Sequence, residues 1–412
     1  MRVQPWVRRG GPAVLSAALL LYLMAYAHWP GMLAQVDLQV YRFGATRARD
    51  GLDLYSAGLT GNPKTLLFIY PPFAALALRP LAYVAEPTVQ VLWLLSMCGL
   101  VTYAVHRMLT ATGLAVGDGL WSLTTLLTGL VIWLEPVRLS LQLGQINIVI
   151  LTLVLADLLG KAQRPAAGIG IGLAAGIKLT PALFIFYLVA IGRLRAALVA
   201  GATFVATVVV GFVLLPTGSA YYWLRGGFHD VGRISVDRWA NTSVGGLLTR
   251  LHAPAALATT VAVVLAVVAL TLAATTYRRG QSVLAIAIVG MACAAASPFS
   301  WSHHWVWFAP LTVHLGYRAY ALGRGASAWL LWSLWALLGG WFLSLRGASP
   351  EAGLLSFRPG GAWRDIITGS YVFVFVAVLI GTPLWFWRSG VRPTPDVSPT
   401  AVPAGVRTLA AE

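Results

Sequence analysis

Long apolar runs recur from one end of this chain to the other. Such runs constrain the fold strongly, because about 20 predominantly apolar residues suffice for a helix to cross the hydrocarbon core of a bilayer. The runs are 17 to 22 residues long and lie at about 13–29, 87–106, 119–135, 143–160, 197–215, 255–276, 281–297, 304–322, 326–345 and 370–387. Since every backbone polar group in lipid needs an internal partner, each run is expected to span as a helix. We therefore predict an all-α polytopic membrane protein.

Composition and charge exclude other classes of protein. Of the 412 residues, 58% are apolar and 10% charged, whereas a soluble domain is about half apolar and roughly a quarter charged. The net charge of +16 comes from clusters between apolar runs rather than from a continuous basic stripe, so no nucleic-acid partner is predicted. Cys98 and Cys293 both lie within apolar runs, which leaves neither a disulfide framework nor a cysteine-based metal site.

One segment, residues 166–192, is too long for one spanning helix and too short for two. Gly176, Lys178 and Pro181 interrupt it, and we predict two short half-crossings that meet near Lys178. Irregular backbone at that depth is tolerated only where it is buried in protein or lines a cavity. With these two short helices, the chain is predicted to have about 12 transmembrane helices.

Two further stretches complete the domain organisation. Residues 70–84 are apolar but only about 15 long, below the spanning range, so we predict a re-entrant or interfacial segment. The end of the chain is polar and rich in proline. We predict a single integral membrane domain over 1–388 and a disordered cytoplasmic tail over 389–412.

The distribution of basic residues indicates the orientation. Alternating the predicted helices places short basic connections, such as those at Arg193/Arg195 and Arg278/Arg279, on one face. By the positive-inside rule that face is cytoplasmic. A similar number of basic residues lie on the other face, mostly in longer loops, where the rule is weaker. The prediction is a multi-pass protein of the plasma (inner) membrane, with a first periplasmic loop at 30–86.

Asp37 lies in this loop, just beyond the end of the first predicted helix. A carboxylate at the membrane boundary can reach an amphiphile whose polar part is in water while its chain stays in lipid. It could act there as a general base. The alternative is a structural role as the N-cap of a helix over 38–50, since aspartate is a favoured cap.

Other polar residues fall on the same predicted outer face. Such groups in or beside transmembrane segments are expensive to bury, so they are expected to face a cavity or to pair with each other. Each also has a structural alternative. Gln145 and Asn147 could link helices by hydrogen bonds, Arg138 could pair with Glu135, and Asn241 could cap a short helix. Because all of them share one face with Asp37, we favour a functional site.

No metal site is predicted. His303 and His304 are adjacent and would point about 100° apart on a helix, so they would not chelate one ion together. Zinc needs three or four ligands, and no HxxxH or HExxH spacing supplies them. A weak site at Asp50 and Asp53 is the remaining alternative.

Anion binding is a better use of these side chains. A histidine at the bilayer boundary can donate to a phosphate, and lysine and arginine add fixed charge. We predict phosphate binding by His304 first, with His303, Lys178 and Arg138 as further candidates. The alternative for His304 is a place in an interfacial aromatic belt beside Trp301.

Motifs for other chemistries are absent from the sequence. It contains no P-loop, GxSxG elbow, Rossmann glycine fingerprint or CxxC pair. ATP-driven transport, serine hydrolysis and dinucleotide chemistry therefore lack their usual sequence support.

The outer-face motifs, taken in order, resemble those of glycosyltransferase family 87, actinobacterial membrane mannosyltransferases of the GT-C class. The motifs are Val-Asp37-Leu-x-Val-Tyr41, Tyr70-Pro-Pro72, Gly144-Gln-x-Asn147, Lys178-x-x-Pro181, Asn241-x-Ser243 and Ser297-Pro-x-Ser-Trp-x-His-His304. Their order and spacing, rather than any single motif, carry the resemblance, which spans about residues 36–310. It implies a GT-C fold with an active site built from periplasmic loops.

The resemblance also implies a reaction. The donor would be polyprenyl-phosphate-mannose and the acceptor a lipid-linked mannoside, either a phosphatidylinositol mannoside or lipomannan. Mannose would be transferred with inversion into an α-1,2 linkage on the periplasmic face, without a metal or other cofactor. Asp37 matches the catalytic aspartate of the family's first loop. Substrate binding would fall to Tyr41, Tyr70, Gln145, Asn147, Asn241, Ser243 and Trp301. Thr242 departs from the Asn-Gln-Ser expected at 241–243.

Two alternatives remain open. The first is another GT-C transferase with an arabinosyl or glucosyl donor, because no residue pattern separates mannose from arabinose. The second is a lipid transporter or flippase, favoured by the broken segment around Lys178. Transporters usually show paired broken segments in two halves, and only one is visible here.

Overall fold

A computed structural model describes residues 3–61, 66–114, 117, 119–160, 164–229, 240–339 and 362–391. Within these ranges the regular structure is helical, apart from two isolated β-bridges, Gly58 with Leu67 and Leu134 with Gly339. The all-α prediction is confirmed for this part of the chain. Most of the predicted tail, 392–412, lies outside the described residues.

The α-helices are numbered along the chain. They are α1 (Pro5–His28), α2 (Val36–Arg49), α3 (Pro72–Ala77), α4 (Glu86–Ala111), α5 (Leu120–Ile132), α6 (Glu135–Leu143), α7 (Asn147–Leu158), α8 (Ile169–Ile177), α9 (Leu183–Ala190), α10 (Leu194–Leu214), α11 (Pro216–Ser219), α12 (Val244–Arg250), α13 (Ala255–Arg278), α14 (Ser282–Ala296), α15 (Phe308–Tyr320), α16 (Gly325–Leu338), α17 (Ala362–Thr368) and α18 (Ser370–Ser389).

Among the described residues, five helices are long and apolar enough to cross a membrane: α1, α4, α10, α13 and α18. A sixth span would result if α6 and α7, which are bent by 118°, form one broken crossing. The polytopic class is confirmed, whereas the predicted count of about 12 is not. One reason is that several apolar runs form helices shorter than a bilayer, such as α14 with 15 residues and α15 with 13.

Burial separates the two kinds of apolar helix. Helix α13 leaves Val263 and Val267 more than half exposed, as expected of a surface that meets lipid. Helix α14, by contrast, is buried at every position from Val283 to Ala295. An apolar run alone does not distinguish a lipid-facing helix from a central one, because both lack polar residues.

The predicted break near Lys178 is present. Helix α8 ends at Ile177, Lys178 is extended (φ −148°, ψ 122°), and a 3-10 turn over Thr180–Ala182 leads into α9. Pro181 explains the interruption, because proline lacks a backbone N–H and restricts the residue before it. As predicted, residues 70–84 do not form a spanning helix; they contain α3 and a 3-10 turn over Arg79–Tyr83.

Helix α2 carries Asp37 and is held against the protein along its length. It buries Leu38, Val40 and Tyr41. Its polar face is anchored where Arg42 forms a 3.2 Å ion pair with Glu86. The N-cap of α2 is Gln35, and Asp37 lies in the first turn. The alternative that made Asp37 the N-cap of a helix over 38–50 is therefore wrong, because the helix begins two residues earlier.

A sharp hinge joins α6 to α7. Gly144 ends α6 with φ +68°, in the left-handed region that glycine adopts without strain. A Cβ atom at this position would lie 2.7 Å from Cβ of Leu38, so the hinge packs directly against α2. This close approach brings the amides of Gln145 and Asn147 to the end of α2 that carries Asp37.

Close packing around Trp307 supplies a stability prediction. A Cβ at Gly290 of α14 would lie 2.0 Å from the Trp307 ring, whereas one at Gly201 of α10 would meet nothing within 4 Å. Overpacking of a filled core typically costs about 1–3 kcal/mol. We expect Gly290→Ala to lower the midpoint of heat denaturation in detergent by several degrees. The matched control, Gly201→Ala, should leave the midpoint unchanged or slightly higher, and equal behaviour of the two variants would contradict the packing.

Candidate active site

A cavity of about 150 Å³ lies where the α8–α9 break meets the segment before α3 and the turn between α14 and α15. Its wall includes Tyr55, Tyr70, Lys178, Phe228, Trp301 and His304. A second pocket, of about 10 Å³, shares Lys178 and His304 and continues toward α7 and α14. Four residues predicted from sequence, Tyr70, Lys178, Trp301 and His304, thus share one wall.

Lys178 supplies a cation to both cavities. Its Nζ atom donates a 2.8 Å hydrogen bond to Oδ1 of Asn147 and lies 5.8 Å from the centre of the Tyr70 ring. The break after Ile177 turns the lysine out of the helical repeat, which allows its side chain to reach this position. Burial lowers the pKa of this amine to about 7, and the charge of Asp37 acts in the opposite direction. In its charged form the lysine can stabilise an anionic ligand.

Asp37 lies next to this wall rather than on it. Its Oδ2 atom accepts a 2.8 Å hydrogen bond from Nε2 of Gln145, whose Oε1 accepts one from Tyr70 on the wall, at 3.2 Å. Burial raises the pKa of the Asp37 carboxyl to about 6, while the charge of Lys178 and the hydrogen bond from Gln145 act in the opposite direction. A carboxylate with this pKa is a better base at neutral pH than a free one.

Two tyrosines complete the surroundings of Gln145. Tyr41 donates a short hydrogen bond to Oε1 of Gln145, and its hydroxyl lies 3.0 Å from that of Tyr70. The backbone N–H of Ile146 donates to the Tyr41 hydroxyl at 3.3 Å. The amide of Gln145 is therefore bonded on both its oxygen and its nitrogen.

The two histidines occupy different positions. His303 is buried, its carbonyl accepts a 2.6 Å hydrogen bond from Nδ2 of Asn147, and its Nε2 atom lies 3.4 Å from Nε2 of Gln145. His304 is half-buried and lines both cavities. Burial, with the nearby charge of Lys178, lowers the pKa of both rings well below the ordinary value. Both are therefore neutral at physiological pH, and His304 can offer an N–H donor but no full charge.

Arg138, predicted to bind phosphate, is not brought to the cavities. It is completely buried in α6, where Nη1 donates a 2.6 Å hydrogen bond to Oε1 of Gln142 and lies 3.4 Å from Sδ of Met32. Neither cavity is lined by Arg138. The structure places this guanidinium between α6 and the turn after α1, where it contributes to packing.

Asn241 and Ser243, predicted to bind substrate, also lie off the cavity wall. Asn241 accepts a 3.0 Å hydrogen bond from the Ser300 backbone and donates to the Pro298 carbonyl at 3.2 Å. Ser243 caps α12 by accepting from the Gly246 N–H at 2.9 Å, so the cap is Ser243 and not Asn241. These residues fasten the segment at 298–300, which carries part of the wall.

Sequence reasoning missed the aromatic side of the cavity. Tyr55 stacks on Tyr222 with ring centres 6.0 Å apart and donates a 2.8 Å hydrogen bond to the Tyr70 carbonyl. Phe228 and His229 extend this side. The aromatic run at 221–223 was the available signal, but nothing in the sequence places it beside a tyrosine more than 160 residues away.

In the part of the chain that the structure describes, no group of three or more His, Cys, Asp or Glu side chains is arranged to hold a metal ion. Of the two aspartates considered for a weak site, Asp50 pairs with Arg49 at 2.7 Å. Asp53 accepts a 2.8 Å hydrogen bond from the Tyr55 backbone.

The described part of the chain is thus a helical polytopic membrane protein with a carboxylate and a lysine beside a cavity at a helix break. The comparison with known proteins is more specific. The model of glycosyltransferase family 87 matches residues 68–298, which is more than half of the chain. The chain belongs to glycosyltransferase family 87, as its motifs predicted.

Individual relatives cover nearly the whole chain. One from Mycobacterium tuberculosis is 30% identical over 93% of this chain and 95% of its own length. One from Mycolicibacterium smegmatis is 32% identical over 90% of this chain and 89% of its own. Both are named polyprenol-phosphate-mannose-dependent α-(1-2)-phosphatidylinositol mannoside mannosyltransferase. Another from M. smegmatis, 31% identical over 93% of each chain, is named as the corresponding phosphatidylinositol pentamannoside mannosyltransferase. No solved structure matches the chain.

Proposed function

We propose that this protein is a mannosyltransferase that moves mannose from polyprenyl-phosphate-mannose to a phosphatidylinositol mannoside and forms an α-1,2 linkage. The names of the relatives, which align over about nine-tenths of the chain, support the donor and the acceptor. The observation that carries the proposal to this site is that a half-buried carboxylate, Asp37, and an amine, Lys178, each form a 2.8 Å hydrogen bond with an amide of the segment 144–147. Sugar transfer from a phosphate ester needs a base for the acceptor and a cation for the departing phosphate.

The reaction proceeds by inversion. The acceptor 2-hydroxyl oxygen attacks the anomeric carbon of the β-mannosyl phosphate, and the bond from that carbon to the phosphate oxygen breaks on the opposite face. The hydroxyl proton passes to the Asp37 carboxylate as the new bond forms. Polyprenyl phosphate leaves with the bonding electron pair, and Lys178 and the His304 N–H stabilise the charge that develops on it. Since the donor already carries its leaving group, the reaction requires no nucleotide.

The architecture that suits this reaction is a GT-C fold of about 12 transmembrane helices with its active site on the periplasmic side of the plasma membrane. The five long apolar helices and the shorter ones beside them support a multi-pass arrangement. Both substrates are lipids, so an entrance open to the bilayer is expected. The donor sugar and phosphate would lie in the cavity, with the polyprenyl chain in lipid.

The first test is sugar transfer by the purified protein in detergent. Polyprenyl-phosphate-mannose and a phosphatidylinositol mannoside should give a product with one additional α-1,2-linked mannose. Arabinosyl and glucosyl donors, offered in parallel, should give none. Transfer from one of those donors would show that the donor sugar is not mannose alone. Movement of lipid across vesicle membranes, without transfer from any donor, would favour the transporter alternative.

The pKa of Asp37 predicts how the rate depends on pH. The base must be ionised, so a carboxyl with a pKa of about 6 is active above that value and inactive below it. We expect kcat/KM, which reports ionisations of the free enzyme, to rise with pH through a midpoint near 6 as Asp37 ionises. It should fall again near pH 7, because burial lowers the pKa of Lys178 to about 7 and the lysine loses its charge there. A rate that stays constant from pH 5 to 7 would contradict a base with this pKa.

The orientation can be tested by labelling. We expect Asp50→Cys, next to α2, to react with a membrane-impermeant thiol reagent added outside intact cells. Arg195→Cys, at the start of α10, should react only after the membrane is opened. Both positions are exposed, and the control is the background protein in which Cys98 and Cys293 are replaced by serine. The opposite labelling pattern would place the site on the cytoplasmic side.

A further inference from the structure

The hinge between α6 and α7, residues 144–147, carries two amide side chains that point to different catalytic groups. Gln145 reaches Asp37, and Asn147 reaches Lys178, with donor–acceptor distances of 2.8 Å in both cases. The bend of 118° between α6 and α7 places Gln145 in the turn and Asn147 at the first position of α7. Two residues apart, they link groups from α2 and from the α8–α9 break.

Gln145 has no hydrogen-bonding capacity left for a substrate. An amide oxygen accepts two hydrogen bonds and an amide nitrogen donates two. The Oε1 atom is within hydrogen-bond reach of the Tyr41 and Tyr70 hydroxyls and, at 3.1 Å, of the Ile146 backbone N–H. The Nε2 atom donates to Asp37 at 2.8 Å and faces Nε2 of His303 at 3.4 Å. His303 then accepts at Nε2 and carries its proton on Nδ1.

The two tyrosines determine which way this amide faces. Each hydroxyl has one proton and their mutual 3.0 Å contact can use only one of the two, so at least one donates to the amide oxygen and the N–H groups point to the carboxylate. The reversed amide would turn its oxygen toward the Asp37 carboxylate, and two facing acceptors repel each other. Tyr41 is itself fixed by the N–H of Ile146 in the hinge. The orientation of the Asp37 carboxylate is therefore specified by protein groups alone.

Asn147 plays the equivalent part for the cation. Its Oδ1 atom accepts the hydrogen bond from Nζ of Lys178, and its Nδ2 atom donates to the His303 carbonyl at 2.6 Å. The second bond fixes the amide so that its oxygen faces the lysine. His303 contacts both amides: its ring faces Gln145, and its backbone carbonyl accepts the hydrogen bond from Asn147.

We propose that Gln145 and Asn147 are positioning residues, through which one hinge sets the base and the phosphate-binding cation in a fixed relation to each other. The inference deepens the function proposed above and rests on it. It assigns the family-like Gly-Gln-Ile-Asn motif at 144–147 to the alignment of Asp37 with Lys178 rather than to direct substrate contact. Buried amides with several hydrogen-bond partners suit this task, because they orient the neighbouring charged group without adding a charge of their own.

The first measurement is the pH profile of Gln145→Met, which keeps the approximate length and removes the amide. The groups that face Asp37 are Gln145, Lys178, Tyr70 and, on its own helix, Tyr41. Without the donor from Gln145 the ionised carboxylate is less stable, so the acid limb of kcat/KM should move up by about one pH unit. A residue with only a structural role would lower the rate without moving the limb.

Two further variants complete this measurement. Tyr41→Phe removes only the hydroxyl that orients Gln145, and we expect a smaller shift in the same direction. Tyr22→Phe is the matched control, since it removes another buried tyrosine hydroxyl, which donates to the Met32 carbonyl at 3.2 Å far from Asp37. It should leave the limb at its wild-type position. An unmoved limb in Gln145→Met, or an equal shift in Tyr22→Phe, would overturn the assignment of Gln145.

The Asn147 assignment is tested by a double-mutant cycle with Lys178. Alone, Asn147→Leu should lower kcat about tenfold, as expected for loss of a hydrogen bond to a charged group. In a Lys178→Met background, the same substitution should have little further effect, because the group that it positions is gone. Independent, multiplicative losses would overturn the assignment of Asn147.

A measurement that does not require catalysis tests the positioning role independently of the proposed function. The infrared absorption of the protonated Asp37 carboxyl, obtained by subtracting the Asp37→Asn spectrum, can be titrated in any folded sample. Its midpoint should be near pH 6 in the wild type and about one unit higher in Gln145→Met. A shifted midpoint in a protein that transfers no mannose would reject the function and keep the positioning. Mannose transfer by the wild type, with the same midpoint in the wild type and in Gln145→Met, would support the function and reject the positioning.

Discussion

Asp37→Asn is expected to abolish mannose transfer while leaving donor binding intact. Asparagine has the same shape, and its Oδ1 atom can still accept the hydrogen bond that Gln145 gives to Asp37 at 2.8 Å. Only the capacity to take a proton is lost. General-base catalysis typically contributes about 10²–10⁴-fold, so kcat should fall by that factor at the pH optimum of the wild type. Turnover by the purified protein and binding of radiolabelled donor lipid measure the two effects.

The matched control for this substitution is Asp50→Asn. Asp50 follows the same helix, is exposed and pairs with Arg49 at its surface, where an ion pair contributes little to stability. Its replacement should leave kcat within about twofold of the wild type. If Asp37→Asn transferred mannose as fast as Asp50→Asn, the base would have to be another group.

The second large effect is expected from Lys178→Met, which keeps the side-chain length and removes the charge. Loss of one preorganised group that stabilises developing charge typically costs about 10²–10³-fold in kcat. Because the charge on the phosphate grows as its bond to mannose breaks, kcat should fall more than donor affinity. The charge of Lys178 also lowers the pKa of Asp37, so the acid limb should move to higher pH. Because burial lowers the pKa of Lys178 itself to about 7, the direct effect is isolated by comparing the maximal rates of the two pH profiles.

Arg195→Gln serves as the control for charge removal in general. Arg195 is an exposed residue near the start of α10, with no part in the cavity. Its substitution should change neither kcat nor the pH profile. A Lys178→Met protein with full kcat and weaker donor binding would restrict the lysine to ground-state binding and leave transition-state stabilisation to His304.

Several features of the fold and site could be predicted without coordinates. The apolar runs indicated helices, and most helices at those positions begin and end within a few residues of them, as with Ala255–Arg278 for the run at 255–276. The first helix is an exception, since it begins at Pro5 and not near residue 13. Pro181 marked the break that exposes Lys178. The order of outer-face motifs indicated the family, which the comparison confirmed. Asp37 was singled out by its place after the first helix, and its role as a base remains a prediction.

Other features could not be predicted, because they depend on what each side chain faces. Arg138 and Lys178 are both cations beside apolar runs, yet one is buried against Met32 and the other lines a cavity. Asn241 resembled a ligand-binding residue, but its amide fastens the backbone at Ser300. The number of spans is likewise not settled by apolar runs, since α14 is as apolar as a lipid-facing helix and lies in the interior.

The sequence by itself determined that this chain is helical, enters a membrane repeatedly and carries the motifs of its family, because those properties depend on local composition, periodicity and order. Only the tertiary structure decided that Gln145 faces Asp37, that Asn147 faces Lys178, and that Arg138 faces neither. These contacts join residues from 4 to 108 positions apart in the chain. Hydrogen bonds and charge act over a few ångströms, so their partners are specified by how the helices pack and not by the sequence on either side.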